Sequence, residues 1–219
     1  MAITGNSSAV LGVLSGAAGK NNYGAGGDFF TPGKHKVRVT ETTAGQSDQR
    51  KNVTKVIIAS DVVDSQPGES NWVLENGKAE RRGTPVAVPG ISPGSSRKQI
   101  LMSDKCNFDS DLGNFCLAAK KTFAVMYHLC KECDNLDEFL KERWAPSVHS
   151  RIHEFVKRAA ATGDTTVQQD ITDIFELDLA NGLVMHVECG DKSNKDKTIV
   201  LNQVAWRAGT AEDQAGDDE

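Results

Sequence analysis

The spacing of apolar residues changes twice along this chain, from a repeat of two to a repeat of about 3.6 and back, which restricts the fold to a β framework with helices inserted into it. In residues 34–42, Val37 and Val39 alternate with Lys36, Arg38 and Thr40, the pattern of a half-buried strand with one apolar and one basic face. Residues 53–65 are dense in β-branched side chains and predict a second, more buried strand, bent near Ser60 and Asp61. Residues 66–96 hold most of the prolines and many glycines and predict a loop-rich region, with short strands at 83–88 and, just beyond it, 97–102. The period then lengthens. Phe115, Leu117, Ala118, Phe123, Met126, Tyr127 and Cys130 recur at helical spacing across 111–132, and further helices are expected at 136–144 and at 147–161, with Ser147 as N-cap and Gly163 near the end. Strand character returns at 173–179 and 183–189 around an Asn181-Gly182 turn, and a final strand is expected at 198–206.

This order defines the fold class as mainly β with inserted helices (α+β), in the plan of an OB-fold-like five-stranded β-barrel plugged by a helix. The expected organisation is a flexible glycine-rich arm at 1–27, one domain at 28–210 with its helical insertion at about 111–162, and a disordered acidic tail at 211–219. The tail holds Glu212, Asp213, Asp217, Asp218 and Glu219. The chain carries 25 basic and 30 acidic residues, so removing these five carboxylates leaves a neutral body. Such a segment buries too little apolar surface to order itself and acts through charge, by occupying a basic groove or docking a partner. No apolar run approaches the roughly 18 residues of a membrane span, and the amino terminus lacks the basic start of a secretory leader. The expected location is the cytoplasm of a host cell, with no membrane partner. The odd count of five cysteines points to thiols or metal ligands rather than disulfides.

The segments FFTPGKHKVRVTET, TKVIIASDVVDS, NGLVMHVEC and KTIVLNQVAW, a helix after an aspartate-rich turn, and the acidic carboxy-terminal segment give a layout that resembles bacteriophage single-stranded-DNA-binding proteins of the OB-fold type. The resemblance spans about 28–105, 111–132 and 170–219. It implies a non-enzymatic protein that coats single strands during phage replication and recombination and engages replication or recombination proteins through its tail; self-association is an expectation carried by the added helices. Two features depart from that pattern: the tail lacks a terminal aromatic, and the helices across 134–162 exceed a minimal OB-fold.

Holding a single strand requires cations for the phosphates and flat side chains for unstacked bases. Lys34, Lys36 and Arg38 fall on alternate positions of one strand; Arg50, Lys51 and Lys55 follow in the next hairpin; Arg81, Arg82, Arg97 and Lys98 flank the loop region; and Lys192, Lys195 and Lys197 form a late basic tip. The alternative for each is an ordinary solvated charge. Trp72, on a polar background, is the leading stacking candidate, with His35, Phe29 and Phe30 behind it; Trp206 and Tyr127 fit core positions.

Cys130, Cys133, His149 and His153 form a C-x2-C-x15-H-x3-H pattern compatible with a structural zinc site, the histidines lying on one helical face. The competing reading buries Cys130 in the apolar stripe of its helix. No cofactor is required for strand binding. Gly90-Ile91-Ser92-Pro93-Gly94 has the letters of a nucleophile elbow, but Pro93 has no N–H to donate to an oxyanion. Asp61, Asp64, Asp104, Asp109 and Asp111 allow a metal-dependent nuclease as an alternative, although aspartates at strand ends and turns commonly serve the local backbone. A virion structural or decoration protein, with the arm as an intersubunit strap, is the other alternative.

Overall fold

A computed structural model describes residues 28–47, 50–132 and 136–215. The glycine-rich arm, Cys133 and the last four residues, Asp217, Asp218 and Glu219 among them, lie outside the described residues. The elements are β1 (Gly33–Ser47), β2 (Arg50–Glu75), β3 (Lys78–Val88), β4 (Ser96–Met102), α1 (Phe108–Glu132), α2 (Leu136–Arg143), a 3-10 turn (Pro146–Val148), α3 (His149–Thr162), α4 (Gln168–Glu176), β5 (Val184–Ser193), β6 (Val200–Arg207) and α5 (Ala211–Ala215). The fold is α+β and mainly antiparallel: a six-stranded sheet in the order β3-β2-β1-β5-β6, with β4 also paired to β2. No helix among the described residues is long and apolar enough to cross a membrane.

The long strand β2 organises the sheet. It pairs with β1 up to Pro67, with β4 from Lys55 to Asp61, and with β3 from Gly68 onward. Register shifts leave Thr40 on β1 and Val63 on β2 without a direct partner, one on each side of the expected bend at Ser60 and Asp61. Such bulges bend and twist a ladder. Gly68 marks the change of partner, where β2 crosses the start of β1 so closely that a Cβ there would lie 2.5 Å from the backbone of Pro32 and Gly33.

The expected closed barrel does not form, because β4 and β6 are not paired with each other. Their inner sides are nevertheless joined by a bond from Trp206 Nε1 to Gln99 Oε1 of 2.7 Å. Against the inner face lies α1, and the core between them centres on Trp206. Phe115 meets its indole edge-on with centroids 5.0 Å apart, and Phe30 does so at 6.0 Å. The core placement of Trp206 follows the alternation of its strand; Tyr127 packs at the core's margin.

Three other expectations are corrected. Residues 66–96 are largely strand, because β2 runs on to a tight turn at Asn76 and Gly77, both at positive φ, and returns as β3. Asn-Gly in that conformation matches the twist of a two-residue hairpin. The Asn181-Gly182 pair also turns, but it joins α4 to β5. The expected strand at 173–179 is α4 and its exit: Val167, Ile171, Ile174 and Phe175 follow i, i+4, i+7, i+8 spacing, a helical stripe. Finally, α3 starts at His149 without a side-chain cap, after a turn in which Ser147 takes part, while Gly163 does end it at positive φ.

Helices α1, α3 and α4 are cross-linked by buried charge. Lys120 on α1 is 1% exposed, and its Nζ donates to Asp170 Oδ2 at 3.0 Å, to Thr165 O at 2.6 Å and to the Thr162 hydroxyl. Arg158 donates to Asp170 Oδ1 at 2.7 Å and to Asp173. Burial raises the Asp170 pKa, but the bonds from Arg158 and Lys120 outweigh it and hold the carboxyl below its ordinary range. Cys116 and Cys189 are buried free thiols, pushed up to about 12 chiefly by desolvation.

Candidate nucleic-acid interface

The structure sorts the cationic candidates into groups with different surroundings. The largest group forms where the β2/β3 and β5/β6 hairpins meet. Ala79 N donates to Lys197 O at 2.7 Å, and Trp72, Leu74, Ala79 and Val200 pack as a small apolar cluster beneath the junction. Arg81 stands opposite Trp72 in the register, and Arg82 Nε donates to Trp72 O at 3.2 Å. Asp191 fixes the junction from β5, its carboxylate accepting from Ser70 Oγ at 2.8 Å, Asn71 N at 3.0 Å and Trp72 N at 3.1 Å. Asn194 shapes the β5/β6 turn through Oδ1, which accepts from Thr198 N at 2.7 Å and Ile199 N at 2.9 Å. Trp72, Arg81, Arg82, Lys195 and Lys197 therefore gather at one end of the molecule, although 113 positions separate Arg82 from Lys195, whereas Lys192, one residue after Asp191 on β5, faces the cleft between β4 and β6. Lys78, which the sequence reading passed over, joins them, because the turn at Asn76 and Gly77 places it at the same tip. Trp72 is half-buried rather than free, so part of its ring braces the two tips.

A second group lies on the outer face of β1. Lys34, Lys36 and Arg38 do share that face, but carboxylates face them. Lys34 is in register with Glu188 and Arg38 with Asp61, while Lys36 Nζ lies 2.9 Å from Asp213 Oδ1. Asp213, expected in a free tail, belongs instead to α5, which is docked on β5 through Gln214 bonds to Val184 N and O at 3.2 and 2.7 Å. Its Oδ2 also accepts from His186 Nε2 at 2.8 Å and from Thr210 N at 2.7 Å. Desolvation opposes the charge on Asp213, but the bonds from Lys36, Thr210 and His186 prevail and hold its carboxyl far below the usual range. Glu212 is exposed on the same helix.

The remaining candidates are dispersed. Arg50 is paired with Asp104 at the opposite end of β2 from the two-hairpin junction, with Lys51 exposed beside it and Lys55 in register with Met102. Arg97 is a correction: it is 7% exposed on the inner side of β4, where its NH1 donates to Ser96 O, and burial lowers its pKa. Lys98, one residue on, faces outward to Asp28 at 2.7 Å. Among the stacking candidates, His35 and Phe30 are in the core, their rings stacked 5.7 Å apart. His35 Nε2 donates to Thr31 O at 2.8 Å and its Nδ1 accepts from Ser65 Oγ at 2.8 Å.

Between the edges of β4 and β6, which no strand among the described residues pairs, lies a cleft lined by Phe29, Ile100, Met102, Leu201 and Val204, with Lys98, Lys105 and Lys192 among its polar lining. Phe29 makes a parallel bridge to Lys98, so residues 28–30 occupy part of the gap.

Of the zinc pattern, Cys133 and the side chain of Cys130 lie outside the described residues. His149 donates to Trp144 O at 2.9 Å. Among the described residues no group of three or more His, Cys, Asp or Glu side chains is placed to hold a metal ion. Of the aspartates of the nuclease alternative, Asp61 accepts from Ser96 Oγ at 2.6 Å at one end of β4, and Asp104, beyond its other end, is paired with Arg50.

No family, curated protein or solved structure matches this chain in comparison.

Proposed function

We propose that the protein is a sequence-tolerant single-stranded-DNA-binding protein of the kind phages use in replication and recombination, acting in the host cytoplasm without catalysis. The observation that carries this reading is the convergence of five cations, Lys78, Arg81, Arg82, Lys195 and Lys197, around a partly exposed tryptophan on two hairpins distant in sequence. Glu75, Glu80 and Asp196 lie on the same tips, and Asp191 is committed to backbone amides. The balance there is cationic although the whole chain is acidic. The cations hold phosphates without reading bases, and the exposed part of the Trp72 ring offers a face to an unstacked base, so such a patch favours single strands of any sequence.

The strand connectivity supports an OB-like arrangement. β1, β2 and β4 form one antiparallel run, the helices intervene, and β5 and β6 return beside β1, with β3 as an addition to the end of β2. The acidic segment fits the same reading, since Asp213 masks a lysine of β1.

The test is fluorescence anisotropy of labelled oligo-dT and of a matching duplex across a salt series. Four to five phosphate contacts give a log-log salt slope of roughly −3 to −3.5 on the single strand. Replacing Arg81 and Lys195 together with glutamate should flatten that slope by about 1.4 or more. Binding that ignores both salt and these substitutions would sink the proposal.

A further inference from the structure

We propose that the cleft between β4 and β6 is a docking slot for an extended acidic segment of a partner protein, which adds there as a strand. Backbone alternation shows the unpaired edges. Lys98 N donates across the gap to Asp28 O at 2.8 Å, and Met102 N and O are engaged by Cys106 in the following turn. The residue between them, Ile100, therefore turns its N–H and C=O the same way, toward the cleft. On β6, Trp206 N and O are both held by the Asn114 side chain of α1, at 2.7 and 3.3 Å, on the edge away from β5. Asn202 and Val204 point their backbone groups to that same edge, where no described residue bonds to them. Two sheet edges whose donors and acceptors no described residue uses thus face one slot, the geometry of strand addition.

The chain's own residues 28–30 show what the slot accepts. Asp28 O takes the Lys98 amide, the Asp28 carboxylate pairs with Lys98 Nζ at 2.7 Å, Phe29 enters the apolar lining, and Phe30 O takes Asn202 Nδ2 at 2.6 Å. One extended chain therefore spans from β4 to β6 at that end. The rest of the slot offers the same chemistry, an apolar floor of Ile100, Met102, Leu201 and Val204 with Lys105 and Lys192 against a single lining carboxylate, Asp111. The occupant is accordingly acidic with an aromatic or branched side chain at alternate positions. The protein's own terminal segment, AEDQAGDDE, has no apolar side chain larger than alanine and does not meet that requirement.

The experiment uses the full chain and three fluorescein-labelled hexapeptides: EDFTVE, its basic counterpart KKFTVK, and EDFTVE with N-methylated backbone amides at Phe and Val. Support is saturable binding of EDFTVE alone, weakened about fivefold or more by Lys105→Glu, with amide NMR shifts and slowed hydrogen exchange at Ile100, Asn202 and Val204. Equal binding of the basic or N-methylated peptide, no binding of EDFTVE, or shifts mapping elsewhere would overturn the proposal. So would oligo-dT shifting those three amides when the peptide does not, which would make the cleft a nucleic-acid channel and leave the hairpin patch to be judged by its own salt test.

Discussion

Lys120 and Lys121 are neighbours on one helix, yet their charges belong to different regimes. Lys120 is enclosed with Asp170, whereas Lys121 pairs with Asp164 at side-chain exposures of 41% and 86%. Asp170→Asn strands a buried ammonium and should cost roughly 3–5 kcal/mol in a urea melt. Lys121→Met should cost less than about 1 kcal/mol; equal losses would refute the distinction. Asp213 gives the pH dependence. Its folded pKa lies below the ordinary 3.8, so the unfolded chain binds more protons as pH falls through 3.8 and below. The stabilisation is therefore complete above that value and is lost on further acidification. Asp213→Asn should remove this part of the acid dependence of the melting temperature, and by removing a negative charge beside Lys36 should tighten oligo-dT binding at low salt; a variant with an unaltered acid limb and weaker binding would contradict the masking role. At this scale the sequence was a partial guide. Alternation shows that Arg97 and Lys98 point to opposite faces, but not which face is covered, because that depends on a helix later in the chain. Nor does it show that a carboxylate from residue 213 meets Lys36.

Among the elements, β2 was half legible. Its apolar first part reads directly as strand, whereas its second part, 66–75, is polar enough to read as loop. The reason lies in its surroundings: past Gly68 the strand leaves the core and pairs only with β3 and the Asp191 carboxylate, so little apolar patterning is required of it. The Asn76-Gly77 turn was the local signal that could have found the hairpin, and Lys78 with it. In α4 the densely apolar Ile174–Leu179 stretch concealed a helical stripe that begins earlier, at Val167. The crossing at Gly68 yields a prediction for the same strand. Gly68→Ala drives a methyl group into the Pro32-Gly33 peptide, pushing β1 away from β2, and should destabilise the fold by roughly 1–3 kcal/mol in denaturant melts, while Gly45→Ala, where a Cβ meets nothing within 4 Å, should not. Equal stability of the two variants would show that the crossing is looser than described.

For the molecule as a whole, the change from strand to helix near residue 110, the return to strands after residue 183 and the inward position of Trp206 are legible in the sequence, enough to specify the α+β class. The open gap between β4 and β6 is not legible there. Closure depends on hydrogen bonds between edges, and residues 28–30 together with Asn114 take up groups that a closed barrel would pair strand to strand. Convergence of Arg81 and Arg82 with Lys195 and Lys197 was likewise only an expectation, since an address in three dimensions comes from the packing of Ala79 against Val200.

Trp206 also sets a condition on the timing of biogenesis. It touches Phe30, 176 positions upstream, and Phe115, and its backbone is gripped by Asn114. A nascent chain that has emerged only as far as residue 199 holds every helix of the insertion but lacks the indole that fills the space between them and the sheet. Its large aromatic surfaces stay uncovered until β6 arrives. The interval between synthesis of α1 and emergence of β6 is thus when this protein most needs protection from its neighbours.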